Sequence, residues 1–288
     1  MNTIVEASRP KQWLKNVLVI AAPAAAGVLQ RGDTAWRTAG AFVAFCMLSS
    51  STYLVNDLVD IEADQQHPKK RNRAIASGRL PVSTAILAAI VLGAVAFGLG
   101  WLVRPKFALV LAVYLGVTLS YTAALKRVAV VDIVIVASLF VVRAVGGAVA
   151  TQLELSQWFL IFTCFGSLFV VAGKRYAELL ELGEKAKRTR ASLDAYDIGF
   201  LRTVLAVAIS CTMLAYCIWA FEKQDAAPNH DGLYLLSIAP MLAALLRYLL
   251  MLDRGQGAAP EDVFWHDRAL QAIGVVWAII FAAAVYAN

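Results

Sequence analysis

Charged side chains are scarce in this chain. They make up 16% of its residues, against about a quarter in an ordinary soluble domain. With 60% hydrophobic residues and a mean hydropathy of +0.67, the shortfall argues against the two water-soluble domains that 288 residues would otherwise suggest. Cysteine is also sparse. Cys46, Cys164, Cys211 and Cys217 lie in apolar stretches, form no CxxC pair and have no histidine at metal-ligand spacing. That excludes a thiolate metal motif and leaves small buried apolar residues. The three histidines, His67, His230 and His266, are scattered in loops and too far apart to share a metal. There is no low-complexity tract, fixed-period repeat or soluble domain, and no cleavable signal peptide. The first apolar run follows Arg9, Lys11 and Lys15 but meets no small-residue cleavage site before further charge.

What the chain has instead is apolar runs of membrane-spanning length, about 17–25 residues each. Nine can be marked, at 16–30, 38–55, 82–103, 107–125, 128–150, 157–173, 200–221, 233–252 and 269–287. They predict an all-α integral membrane protein with about nine transmembrane helices, a single polytopic domain over 1–288. The first run is short, and Trp13 and Pro23 suggest a tilted or partly interfacial helix. Eighteen Lys and Arg fall on the side of the N-terminus and the loops at 56–81, 126–127, 173–199 and 253–268, against five on the other side. The positive-inside rule then puts the N-terminus in the cytoplasm and the C-terminus outside. The net charge of +6 is therefore concentrated on one membrane face and is no sign of nucleic acid.

On that face, span two leads into Asn56-Asp57-Leu-Val-Asp60-Ile-Glu62-Ala-Asp64. At about 100° per residue, a continuing helix would set Asp57, Asp60 and Asp64 within roughly a 60° arc, with Asn56 beside it and Glu62 elsewhere. Three carboxylates on one stripe repel one another unless a cation lies between them. Oxygen ligands suit Mg²⁺, which shares itself with phosphate oxygens. Downstream come His67-Pro-Lys69-Lys70-Arg71-Asn-Arg73, a run of cations. The positive-inside rule alone accounts for the cations, but not for three acids on one stripe. Together the two segments make a candidate Mg²⁺-diphosphate clamp, with Asp57, Asp60 and Asp64 as metal ligands and catalytic residues and Asn56, Lys70, Arg71 and Arg73 on the substrate.

The segment NDLVDIEAD resembles the NDxxDxxxD signature of the UbiA superfamily of intramembrane prenyltransferases. RNRAIASG is similar to that family's RxRPIxxG stretch, with Ala74 where proline is usual. RPKQWLKNVLVIAAP at 9–23, SYTAALKRVAVVDIVIVASLFVVRAVGG at 120–147 and FGSLFVVAGKRYAELLEL at 165–182 resemble one branch, the decaprenyl-phosphate phosphoribosyltransferases. The resemblance implies one helical bundle around a cytoplasm-facing polar cavity in a bacterial plasma membrane. It implies Mg²⁺, phosphoribosyl diphosphate and a polyprenyl phosphate as cofactor and partners, in synthesis of cell-wall arabinan precursors. The family's Tyr-plus-Lys phosphate contacts fall on Tyr121 and Lys126.

No second DxxxD motif appears between Lys174 and Asp197, where cations outnumber acids. Lys174, Arg175 and Tyr176, at the membrane boundary, are candidate phosphate ligands, whereas 181–190 reads as a solvated helix with Glu181–Lys185 and Glu184–Arg188 pairs. Lys15, beside Asn16, is either a phosphate ligand or a snorkelling anchor. Asp132 is an intramembrane acid and hence a functional candidate by default. Arg143 is eleven residues on, some 16 Å away, and cannot pair with it. Arg202 and Arg247 read as snorkelling anchors. The other readings left open are an aromatic prenyltransferase using a prenyl diphosphate, and a lipid or solute transporter without catalysis. Homo-oligomerisation is also left open.

Overall fold

The apolar runs fold as helices. A computed structural model describes residues 3–67, 70–182, 191–226, 232–256, 263 and 266–286, and among them no β-strand forms. In chain order the α-helices are α1 (Thr3–Ala7), α2 (Leu18–Ala25), α3 (Gly32–Val59), α4 (Ile61–Gln66), α5 (Val82–Val103), α6 (Pro105–Ala123), α7 (Val131–Thr151), α8 (Gln157–Leu182), α9 (Ile198–Ala226), α10 (Leu233–Leu236), α11 (Ile238–Asp253) and α12 (Arg268–Tyr286). Among the described residues, eight stretches are long and apolar enough to cross a membrane: α3, α5, α6, α7, α8, α9, α10 with α11, and α12.

These match the second to ninth expected runs, and several of them overrun the apolar sequence. α3 continues from the run at 38–55 through Asn56 and Asp57, and α8 continues past 173 to Leu182. Both overruns carry polar side chains out on rigid helix. The first expected run differs. It is a 3₁₀ helix over Pro10–Val17 running into the eight residues of α2. Pro23 inside α2 and Gly27, at φ 68, prevent a longer α-helix there.

The chain forms two compact units, Met1–Ala123 with Val142–Glu154, and Ala124–Val141 with Leu155–Asn288. In the first, α3 and α5 meet through small residues, as membrane helices do when backbone packing replaces the hydrophobic drive. A Cβ on Gly40 would lie 2.8 Å from Val103 Cγ2, and Ser51 Oγ donates to the Ala89 carbonyl at 2.7 Å. In the same unit Gly147 lets the second half of α7 lie against the α2 backbone, where a Cβ would collide with the Val19 carbonyl. In the second unit α8 and α9 pack around Phe169, Ala172, Tyr176, Leu201, Leu205 and Ala208, and Leu252 fills the space that Gly173 leaves.

Candidate active site

The acids of the expected stripe sit where α3 ends. Asp60 breaks the helix with φ −97 and ψ 12, and α4 starts at Ile61. Two i to i−4 backbone bonds meet at the break, Asp60 N–H to the Asn56 carbonyl at 3.0 Å and Asp64 N–H to the Asp60 carbonyl at 2.8 Å. The seven-residue spacing returns Asp64 to the face of Asp57. Both carboxyl groups are buried, Asp60 is half-buried, and Glu62 is exposed.

One guanidinium joins the two buried acids. Arg73 Nη1 donates to Asp57 Oδ1 at 3.0 Å and to Asp64 Oδ2 at 2.6 Å. Since both oxygens touch the same nitrogen, Asp57 and Asp64 lie side by side. Arg9 Nη2 donates to the same Asp57 Oδ1 at 2.5 Å, with its guanidinium 5.2 Å from the Tyr53 ring centre.

Local sequence holds both arginines in place. After Arg73, Ala74, Ile75 and Leu80 are buried against Leu54, Ala85 and Ala89. A turn with Gly78 at φ 75 closes by the Leu80 N–H to Ala74 carbonyl bond, 2.8 Å. Arg79 in that turn pairs with Glu6 of α1 through two bonds of 2.6 and 2.8 Å, which hold the Glu6 carboxyl below its usual range. Arg9 sits at φ 51 and ψ 60, a left-handed backbone uncommon outside glycine. The segment after it is laid along α3 by Trp13 Nε1 to Ser50 Oγ at 3.0 Å and by Asn16 Nδ2 to Ser49 Oγ at 3.2 Å.

The second unit has its own buried cluster. Asp132, in the first turn of α7, accepts from Tyr196 Oη at 2.5 Å and from Arg175 Nε at 3.1 Å. Arg175 also reaches Glu178 at 3.1 Å. The Val130 N–H donates to Tyr196 Oη at 2.5 Å, which holds a β-branched residue at φ 65. Burial first, and then the bond to Asp132, push the Tyr196 phenol well up, so it stays a donor. Tyr176 is buried with its hydroxyl donating to Asp253 at 2.6 Å and accepting from Arg202 at 3.1 Å, and Lys174 lies 4.0 Å from Glu178.

The other expected residues are spread more widely. Lys15 donates to the Gln12 side-chain oxygen. Arg143 is buried and donates to Asn16 Oδ1 at 2.7 Å and Tyr114 Oη at 2.8 Å. Lys70 and Arg71 are exposed, and Asn56 is half-buried on the last turn of α3. Tyr121 is half-buried near the end of α6 in the first unit, and Lys126 lies in a 3₁₀ turn, Leu125–Arg127, in the second. Arg247 pairs with Asp267 at 2.7 Å. Lys69, the segment 183–190 with its expected Glu–Lys and Glu–Arg pairs, and His230 lie outside the described residues.

Buried carboxylates beside guanidinium groups at a helix break are suited to a cation and a phosphorylated ligand together. The model of the UbiA prenyltransferase family matches residues 17–273. The chain belongs to that family. It is 42% identical to the decaprenyl-phosphate phosphoribosyltransferase of Mycobacterium tuberculosis, over 98% of this chain and 94% of that protein. Identity to the Corynebacterium glutamicum protein of the same name is also 42%, over 98% of this chain and 86% of the other. Among solved structures, a UbiA homolog from Archaeoglobus fulgidus bound to GPP and Mg²⁺ superposes with a TM-score of 0.73, covering 100% of both chains at 16% identity. The fold is that of the family, all-α and multi-pass in a membrane, and the chain is a transferase of the UbiA superfamily.

Arg9, Tyr53, Tyr196 and Tyr114 are site or network residues that the sequence pattern did not single out. Arg9 is the one with a local signal, since it precedes Pro10 at a helix start; as a lone charge it had counted only toward orientation.

Proposed function

We propose that this protein transfers 5-phosphoribose from phosphoribosyl diphosphate to a polyprenyl phosphate of the decaprenyl type, releasing pyrophosphate, as a step in forming cell-wall arabinan precursors. The observation that carries the reading is the 42% identity, across 98% of the chain, to the mycobacterial enzyme of that name. The acid–guanidinium arrangement supports it. Two anionic substrates must be brought together, and fixed cations and preorganised dipoles do this in a site that excludes water.

Asp57 and Asp64 would hold Mg²⁺, with Asp60 next to them. No group of three His, Cys, Asp or Glu side chains assembles among the described residues. The donor set still fits, because Mg²⁺ is commonly bound by one or two carboxylates, waters and substrate phosphates. Bound there, the metal supplies Lewis-acid charge to the departing diphosphate. Arg73 and Arg9 would bind diphosphate oxygens, and Lys70 and Arg71, in the same unit, would add positive charge for the phosphates. The attacking phosphate monoester is largely ionised at neutral pH, with a second pKa of about 6, so no strong general base is needed. Inversion at C1 by attack opposite the diphosphate would give a β-linked product from an α donor.

Placement of these groups in the cytoplasm is supported by the excess of Lys and Arg on that side. The backbone stays in the right-handed helical region through Val17 and Leu18. The 3₁₀ helix and α2 laid end to end rise about 28 Å at roughly 2.0 and 1.5 Å per residue. That is close to a hydrocarbon core of about 30 Å, so a ninth crossing, N-terminus inside and C-terminus outside, is within reach.

Purified protein incubated with radiolabelled phosphoribosyl diphosphate, decaprenyl phosphate and Mg²⁺ should form a labelled lipid. Transfer from a prenyl diphosphate to an aromatic acceptor, with no labelled lipid from the sugar donor, would replace this reading with the aromatic-prenyltransferase one.

A further inference from the structure

The acids at the end of α3 already hold cations supplied by the protein. Asp57 and Asp64 are 5% and 3% exposed at the side chain, and a carboxylate so enclosed is costly without a partner. Arg73 Nη1 and Arg9 Nη2 supply that partner. They do so through Asp57 Oδ1 and Asp64 Oδ2, and Arg73 Nη1 bridges the two acids as a shared metal would. The two guanidinium groups are themselves 26% and 28% exposed, and each comes from a segment outside α3. They can leave toward solvent or a ligand without opening the helix packing.

We propose, resting on the reading above for the identity of the donor, that Arg73 and Arg9 are resident counterions of the metal site, positioning residues that a divalent cation displaces and the donor's diphosphate then captures. Metal alone has to strip two charge-assisted bonds from Asp57 and leave the guanidinium groups without an anion. Metal arriving with a diphosphate gives them one, and guanidinium matches phosphate oxygens in a two-pronged geometry. Metal and donor therefore bind with positive coupling, and the coupling is reciprocal. A simple phosphate-binding arginine would strengthen donor binding but would not weaken binding of the bare metal. The counterion role gives Arg73 opposite signs on the two.

The test uses full-length protein in detergent and Mn²⁺ as the probe, its binding followed by electron paramagnetic resonance without turnover. Arg73→Gln should bind Mn²⁺ alone roughly tenfold more tightly than the parent, the loss of a competitor worth about 1.4 kcal/mol. The same variant, saturated with Mn²⁺, should bind phosphoribosyl diphosphate roughly tenfold more weakly. Arg73→Lys should fall between, and Arg9→Gln should shift Mn²⁺ in the same direction, which keeps the test available if one variant folds poorly. Asp64→Asn should weaken Mn²⁺ binding in every background. Unchanged or weaker Mn²⁺ binding in both Arg73→Gln and Arg9→Gln overturns the proposal. If Arg73→Gln tightens Mn²⁺, and inorganic pyrophosphate but not phosphoribosyl diphosphate raises Mn²⁺ affinity in the parent, the counterion role stands and the donor assignment fails.

Discussion

Two of the buried aspartate–arginine clusters among the described residues share the same chemistry and differ in how open they are. In the first unit, Asp57 and Asp64 share Arg73 and Asp57 also takes Arg9, and both guanidinium groups are about one-quarter exposed. In the second, Asp132 and Arg175 are 0% and 4% exposed, and each carboxylate oxygen of Asp132 has its own donor, Tyr196 or Arg175. Asp132 also lies in the first turn of α7, where the helix dipole favours a negative charge. A buried acid with a donor on each oxygen and a buried arginine beside it is suited to anchor the polypeptide. An acid pair sharing a partly exposed cation has oxygen atoms that a ligand can compete for. Burial of the acid is common to both, so exposure of its partner is the discriminating observation.

The largest effect expected from breaking this contrast is on turnover at the first cluster. Asp57→Asn or Asp64→Asn removes charge and keeps size, and should lower kcat/KM about 10²–10³-fold, comparable to losing one preorganised electrostatic contact. Melting in detergent should change little, because Arg73 and Arg9 are about one-quarter exposed and water can solvate them when an acid is lost. Activity should recover in part at high Mg²⁺. If both variants stay active, the acids form only a charged helix end.

Asp132→Asn should invert that pattern. Removing one partner from a buried ion pair costs about 3–5 kcal/mol, and Glu178 is left as the remaining acid on Arg175. A marked drop in thermal stability is expected, with activity per folded molecule falling far less than for Asp57→Asn. A hundredfold loss of kcat at unchanged melting would move Asp132 from anchor to substrate ligand, the role its position in the membrane had suggested.

Tyr196→Phe sharpens the same contrast at smaller amplitude. It removes two buried hydrogen bonds, for about 2 kcal/mol at roughly 1 kcal/mol each, and leaves the Val130 N–H at φ 65 without its acceptor. Because the folded phenol is raised above its usual value of about 10, its contribution is complete below that pH and declines as pH rises through the folded value. Parent protein should lose stability above pH ~10 more steeply than Tyr196→Phe; equal slopes would mean the phenol does not titrate with folding.

Much of this was legible in the sequence, for physical reasons. Eight helices among the described residues follow from apolar length alone, and the juxtaposition of Asp57 and Asp64 follows from helical spacing, with i to i−4 bonds on either side of the break meeting at Asp60. The first run, expected to be short and containing Pro23, is α-helical over Leu18–Ala25, with Gly27 at φ 68 beyond its end. Arg9 and Tyr196 were out of reach. Their partners are 48 and 64 residues away, and neither local periodicity nor charge counting reports which distant side chains meet.

The smallest effect belongs to a third acid–arginine pair, Glu6 with Arg79, which ties α1 to the turn that carries Arg73. Its geometry is as good as that of the buried pairs, with two bonds of 2.6 and 2.8 Å, but the Arg79 and Glu6 side chains are 46% and 34% exposed. Exposed pairs of this kind contribute little, because water screens them and two long side chains must be ordered. Arg79 holds the Glu6 carboxyl below its ordinary range, so whatever the pair contributes is present above the usual carboxylate pKa, about 4.3, and is lost as pH falls through the lower folded value. Glu6→Gln should therefore leave kcat/KM within about twofold and melting nearly unchanged at pH 7, and the parent's small advantage should vanish on acidification. If Glu6→Gln instead reduced activity as much as Arg73→Gln, the turn would depend on α1 for its position. Exposure would then be a poor guide to which acid–arginine pairs matter, and the distinction between the two buried clusters would need another basis.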